Sequence, residues 1–507
     1  LCKLTLFTIS LFDNYVKHNY LLPGQANTCY ARGVNHLQTF FFYDLETSGL
    51  DPRRQRVMQF AGQRTDMELK PIGAPVNLLV RLTDEVLPDA MAILTTGITP
   101  QSTQQTGLTE AAFLKRLMDE VCTPGTIMTG FNSVRFDDEY MRHTLFRNFY
   151  DPYEWTWSDG RSRWDLLDVV RMTRALRPEG IEWPFDDKGN ATNRLELLTT
   201  ANGIVHTAAH DALSDVEALI DVSRLIKTHQ PKMFDFLLGL RNKREVAKLV
   251  NLDEPKPFVY TSGRYPKEQL HTTVALPLTT GSNPGSVVVY DLRHDPELYA
   301  NLSIDDLKKK RFAKWADRQA EGFLPLPAKE LAPNKCPAVA PLSVLNADVE
   351  ARISLTRETA LANLAKLKDS GLADKLREVF RRDKAFPPAA DVDASLYDGF
   401  MNEGDKRLVG EVRRRDADSL ADFHPNFGDP RLPKLLLRYK ARNHPASLSA
   451  DEQAQWQEYR HERLAADRAS FDDQVLAAAA LVGPDDLAKQ ELLEALNAWA
   501  DEVDPPA

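Results

Sequence analysis

Two carboxylates, Asp44 and Glu46, stand one residue apart at the end of the run "TFFFYDLET". On a strand, residues two apart point to the same face, so both acids aim at one spot. Acids crowded in this way repel each other and resist burial unless something cancels their charge. A hard divalent cation such as Mg²⁺ accepts carboxylate oxygens and removes the repulsion. Taken alone, the pair reads better as a solvated strand end. A second element is "GFNSVRFDDEYMRHTLFRN", in which an apolar strand ends at Gly130, a turn follows and a helix starts near Phe136. Asp137 and Asp138 fall in its first turn, where an acid complements the helix dipole. Asp137, directly after Phe136, is the one expected to reach a metal as well. The third element is His210 with Asp215. Asp215 falls three residues after Ala212 and four before Leu219, on an apolar helical stripe where a lone acid needs a partner. His210, at the helix start, is placed to project into a cleft, and a histidine beside a metal pair can act as a general base near neutral pH.

These residues need elements to carry them. From Thr39 to about Gln230, strand-like and helix-like segments alternate, which predicts an α/β domain with a mixed sheet. Strands are expected at "TFFFYDLET", "RVMQFAGQRTD", "VNLLVRL" and "GTIMTGFNS". Helical spacing marks "TEAAFLKRLMDEVC", "RLELLTTANGI" (stopped by Asn202-Gly203) and "HDALSDVEALIDVSRLIKTH", whose stripe is Ala212, Val216, Leu219, Ser223 and Ile226. From about Pro231 short Val-, Thr- and Tyr-rich runs broken by Gly and Pro predict a small β-rich domain over 231–384. Pro387-Pro388 marks a boundary, and a mainly helical domain is expected over 385–507. Residues 1–38 read as an N-terminal extension outside the fold.

At 507 residues the chain is too long for one core. With 43% hydrophobic and 27% charged residues it has the composition of an ordinary globular protein. A net charge of −10 gives no global basic signature, so any nucleic-acid groove must be local. Cys2, Cys29, Cys122 and Cys336 show no metal-ligand spacing and read as free thiols of a reducing cytoplasm. No run is apolar enough to span a bilayer.

Asp44-Leu45-Glu46, the Asn132-to-Asp137 turn and His210 followed by Asp215 together resemble the proofreading-type 3′–5′ exonuclease superfamily with four acidic residues and a histidine. Asp211 stands where the tyrosine branch carries Tyr, which favours the histidine branch. "SRWDLLDVVRMTRALRPEGIEWP", "RNKREVAKLV", "NKCP", "LYDGF" and "LLLRYKARNHP" extend the likeness to the bacterial exodeoxyribonuclease I family, from about Thr39 to the C-terminus. The resemblance implies a ribonuclease H-like exonuclease domain over 39–230, an SH3-like domain and a helical C-terminal domain. It implies digestion of single-stranded DNA from the 3′ end, in repair and recombination, with release of 5′-mononucleotides. Two Mg²⁺ ions, for which Mn²⁺ can substitute, would be held by Asp44, Glu46 and Asp215. Asp137 would be the fourth acid and His210 the general base, with Glu46 also orienting the terminal nucleotide.

For the substrate path, the resemblance makes Arg194 a phosphate contact. The aromatic stretch "FRNFYDPYEWTW" reads mainly as core, with Tyr153 and Trp157 as candidates for base stacking and Arg142 beside them. The acid-free run holding Arg431, Lys434, Arg438, Lys440 and Arg442 reads either as a solvated helix face or as a basic wall along the strand. The family implies a monomer that meets the acidic C-terminal tail of single-stranded-DNA-binding protein, with Arg177 a candidate lip for it. An RNA exonuclease and a non-catalytic single-strand-binding protein are the alternatives. Intact acids speak against the second.

Overall fold

The computed structural model describes residues 38–504 apart from 206–210, 319, 321 and 382–386. The N-terminal extension, except Gln38, and His210 therefore lie outside the described residues.

Strand β1 (Thr39–Thr47) is the middle of a five-stranded sheet ordered β3-β2-β1-β4-β5. Strands β2 (Val57–Thr65) and β3 (Val76–Leu79) run antiparallel on one side, and β4 (Thr126–Gly130) and β5 (Ser162–Asp165) run parallel on the other. The sheet is mixed, as expected. Its central strand is apolar on both faces, which is why it reads as one continuous run. Phe40 and Phe42 pack with Trp164 and the helix Ala212–His229 on one face. Phe41, Tyr43 and Leu45 pack with Phe60, Phe113 and Met128 on the other. The helix stripe expected from spacing is buried at all five positions. Phe234, in the helix Pro231–Gly239, adds an edge-on contact to Trp164 at 5.1 Å.

The second sheet is an antiparallel meander ordered β10-β6-β7-β8-β9. It comprises β6 (Phe258–Thr261), β7 (Thr272–Thr280), β8 (Val287–Asp291), β9 (Ala328–Leu331) and β10 (Ala338–Pro341). Helix Leu372–Phe380 packs on β7 and β8, helix Ala347–Ile353 packs toward Leu166–Leu176, and the core of this sheet runs without a break into that of the first. The C-terminal region is helical, with Leu432–Asn443, Ala450–Ala479 and Leu487–Val503 the main elements. The long helix Ala450–Ala479 opens on a capping box between Ser449 and Glu452. Its Leu464, Phe471 and Val475 join Trp499 against Met58, Leu82, Val86 and Ile93 of the first domain.

The basic run over Arg431 to Arg442 forms no wall. Lys440 is 1% exposed and pairs with Glu452 at 2.6 Å. Arg442 is 2% exposed and pairs with Asp393 at 2.5 Å and Glu85 at 3.0 Å. Arg438 bonds Asp391 and lies 3.2 Å from Asp393. Arg431 pairs with Asp429 at 2.7 Å, which leaves Lys434 as the exposed cation of the run. The run lacks acids because its partners lie elsewhere in the chain. Arg56, in the first domain, completes the network with Glu85 at 2.8 Å and Asp393 at 3.6 Å. Burial pushes the Glu85 and Asp393 pKa values up, but Arg442 and its neighbouring guanidiniums outweigh it and hold both acids below their ordinary values.

Arg442→Ala leaves both acids buried without their main counter-charge, and is expected to cost about 3–5 kcal/mol in equilibrium unfolding at pH 7. Because these pKa values are depressed on folding, the network's contribution is present above the ordinary values of 4.5 and 3.8 and fades as pH falls below them. The gap between wild type and variant should therefore narrow in denaturation series run from pH 6 toward pH 3.

Candidate active site

Phe40, Phe42, Asp44 and Glu46 share one face of β1 by alternation. The two rings anchor the strand beneath the helix Ala212–His229. The two acids continue the same face to the strand's end, where that helix begins. Asp44 is opposite Ala61 and Glu46 opposite Gln59, and the register slips immediately after Glu46. Asp211 caps the helix by accepting the Ser214 N–H at 3.0 Å, which sets Asp215 in the first turn facing β1. One carboxylate oxygen from each of Asp44, Glu46 and Asp215 lies within 4.8 Å of the others.

This crowding has an electrostatic signature. Burial, reinforced by the Asp215 charge, pushes the Asp44 pKa up to about 8. Burial and then the charges of Asp44, Asp215 and Asp211 push Glu46 to about 9. Asp137 is raised well above the ordinary range, first by burial and then by Asp44. Of the three clustered acids, Asp44 is the one whose charge acts on Asp137.

Asp137 and Asp138 occupy different surroundings. Asp138, 1% exposed, accepts the Tyr43 hydroxyl at 2.9 Å and bonds Arg163. Asp137, 4% exposed, feels the Asp44 charge but is not one of the three carboxylates that lie within 4.8 Å of one another. The turn before them is held by Asp165, whose carboxylate accepts the N–H groups of Asn132 at 2.9 Å and Val134 at 3.1 Å. It also caps the helix Leu166–Leu176 through the Leu167 N–H at 3.0 Å. At Gly130 a Cβ would stand 2.6 Å from the Ser133 Cβ, so only glycine lets the turn fold back this tightly. Sequence reasoning missed Asp165, Tyr43 and Arg163. An Asp directly ahead of "LLDVV" carries a helix-cap signal, but nothing local announces the other two.

Other expected residues are scattered more widely. Arg194 is exposed, and its Nε donates to Glu196 at 2.5 Å. Arg142 is mostly buried, bonds Glu139 at 2.5 Å and lies over the Tyr153 ring at 5.3 Å. Trp157 is 60% exposed. Phe146, Phe149 and Trp155 are core residues, as the bulk of that stretch was expected to be.

Known proteins with this arrangement span the whole described fold. Residues 41–223 match the family model described as "Exonuclease", 241–382 the "Exonuclease I SH3-like domain" and 390–503 the "Exonuclease I C-terminal domain". Exodeoxyribonuclease I of Escherichia coli is 38% identical over 467 residues, covering 92% of this chain and 98% of the relative. The crystal structure of the E. coli enzyme in complex with a dA16 oligonucleotide superposes with a TM-score of 0.88 at 38% identity, over 92% of this chain and all of that one. Exonuclease I from Methylocaldum szegediense superposes with a TM-score of 0.85 at 41% identity, over 92% and 99% of the two chains. With three successive domain matches and near full-length similarity added to the clustered acids, the chain belongs to the exodeoxyribonuclease I family.

Proposed function

We propose that this protein digests single-stranded DNA from the 3′ end with Mg²⁺, releasing 5′-mononucleotides, and that Asp44, Glu46, Asp137, His210 and Asp215 are the residues that do so. The observation that carries this reading is the approach of three carboxylates to within 4.8 Å, with the pKa values of Asp44 and Glu46 pushed up by burial and by the neighbouring acids. Such an oxygen-rich, over-crowded set fits a divalent cation, whose charge offsets the repulsion. Asp44, Glu46 and Asp215 would hold two Mg²⁺ ions, or Mn²⁺ in their place, and the ions would supply Lewis-acid polarisation of the scissile phosphate and of the attacking water. Asp137 completes the acidic set from the opposite element. His210 takes the proton of the attacking water, and Glu46 orients the terminal nucleotide. Arg194 contacts phosphate, while Tyr153 and Trp157, with Arg142 beside them, receive unpaired bases.

DNA rather than RNA is the preferred substrate because the similarity extends through the SH3-like and C-terminal domains, beyond the part that carries the acids. The same family reading assigns a monomer acting in the cytoplasm in repair and recombination. It also assigns a contact with the acidic tail of single-stranded-DNA-binding protein, for which Arg177, half-exposed after the helix Leu166–Leu176, is the proposed lip.

End-labelled single-stranded DNA, duplex DNA and RNA, each with Mg²⁺ or EDTA, test the reaction directly. Single-stranded DNA should be shortened from its 3′ end only with the metal, and Asp44→Ala or Asp215→Ala should abolish digestion in folded protein. Preference for RNA, attack from the 5′ end, or activity retained in either variant would overturn the assignment. His210→Ala should lower turnover more than DNA affinity.

The raised acids give a second check. Because the folded pKa values of Asp44 and Glu46 lie above their ordinary values of 3.8 and 4.5, the metal-free fold holds extra protons and loses stability as pH climbs from those ordinary values up to about 8 and about 9. The rise in Tm on adding Mg²⁺ should be larger at pH 9 than at pH 5. Asp44→Asn should raise the metal-free Tm and shrink that response, as read by calorimetry.

A further inference from the structure

The turn "NKCP" between β9 and β10 belongs to the SH3-like domain, yet it is docked on β5, the edge strand of the first sheet. The Asn334 carbonyl accepts Nη2 of Arg163 at 2.8 Å, and the Cys336 thiol donates to the Arg163 carbonyl at 3.1 Å. Cys336 sits at φ 48°, a left-handed conformation unusual for a residue with a side chain and kept only where surroundings fix it. The other arm of the Arg163 fork, Nη1, bonds Oδ2 of Asp138. Oδ1 of the same carboxylate accepts the Tyr43 hydroxyl at 2.9 Å. Asp138, the residue after Asp137, is thus bonded to Tyr43, the residue before Asp44, and is 1% exposed. Arg142, 3.7 Å away, is a second and weaker counter-charge.

We propose that Arg163 is a positioning residue: it holds Asp138, and through it the spacing between Asp137 and Asp44, while its other arm makes that spacing depend on the seated Asn334 turn of the SH3-like domain. This rests on the proposed metal site and adds a reason why the nuclease domain carries its neighbour. A planar guanidinium reaches two acceptors at once with fixed geometry, which lysine cannot reproduce. A loosened helix start would shift Asp137 against β1 without touching substrate, so the rate and the metal requirement should change while DNA affinity holds.

The test compares wild type, Arg163→Gln, Arg163→Lys, Asp138→Asn and the Gln/Asn double variant. Single-turnover digestion of a 5′-labelled oligothymidylate, the Mg²⁺ concentration at half-maximal rate, and oligonucleotide affinity in EDTA are measured for each. Arg163→Gln is expected to slow digestion roughly 10- to 100-fold and to raise the Mg²⁺ requirement, with affinity unchanged. The double variant should be no slower than Arg163→Gln, since both changes break one unit. Arg163→Lys, which keeps the charge and is the variant to use if Arg163→Gln does not fold, should recover part of the rate. An unchanged rate, an equal loss of affinity, or losses that multiply in the double variant would overturn the proposal, and full recovery by Arg163→Lys would remove the role of the Asn334 arm. A wild-type protein with no metal-dependent digestion would overturn the proposed function instead.

Discussion

The half-buried carboxylates of Asp44, Glu46 and Asp215 stand together beside the core, where water screens their repulsion only in part. The surrounding structure is organised to keep them there. β1 is held by β4 as far as Phe42 and by β2 as far as Glu46, and its aromatic half is buried on both faces, which limits how far its end can yield to the repulsion. The helix carrying Asp215 is locked onto the same face by Val216, Leu219 and Ile226. Asp165 ties down the turn that delivers Asp137. Each constraint costs stability unless a cation arrives, which is how a binding site differs from a core.

The seam with the C-terminal domain treats buried charge in the opposite way. Arg56, Glu85, Asp393 and Arg442 are more enclosed than the half-buried acids of the site, and each has its counter-charge inside the protein. A closed network of this kind adds little net stability over an apolar seam, but it penalises every misdocked arrangement that separates one partner. The two clusters differ in kind: among the described residues, one gathers like charges that a divalent cation would offset, and the other pairs opposite charges across the seam where the domains meet.

The elements were legible wherever periodicity and burial agreed. The alternation that aims Asp44 and Glu46 together, and the stripe that contains Asp215, follow from spacing alone. The strands before and after them were readable from aromatic and β-branched runs. The role of the Arg431-to-Arg442 run was not, because Glu85 and Asp393 are far away in the chain and a local reading sees only cations. Arg163 was hidden for the same reason: its acceptors are Asp138 and a backbone carbonyl at Asn334. His210 remains a reading of the sequence, since it falls outside the described residues.

The packing of Trp499 has a consequence for how the chain is made. Its indole N–H donates to the Val86 carbonyl across 413 residues of sequence, and its ring covers a face that Leu82, Val86 and Ile93 build early. At about 5–20 residues per second of synthesis, that face waits on the order of 20–80 s for the last helix to leave the ribosome. Throughout that interval an apolar surface of the nuclease domain stays bare, open to chaperones or to neighbouring nascent chains.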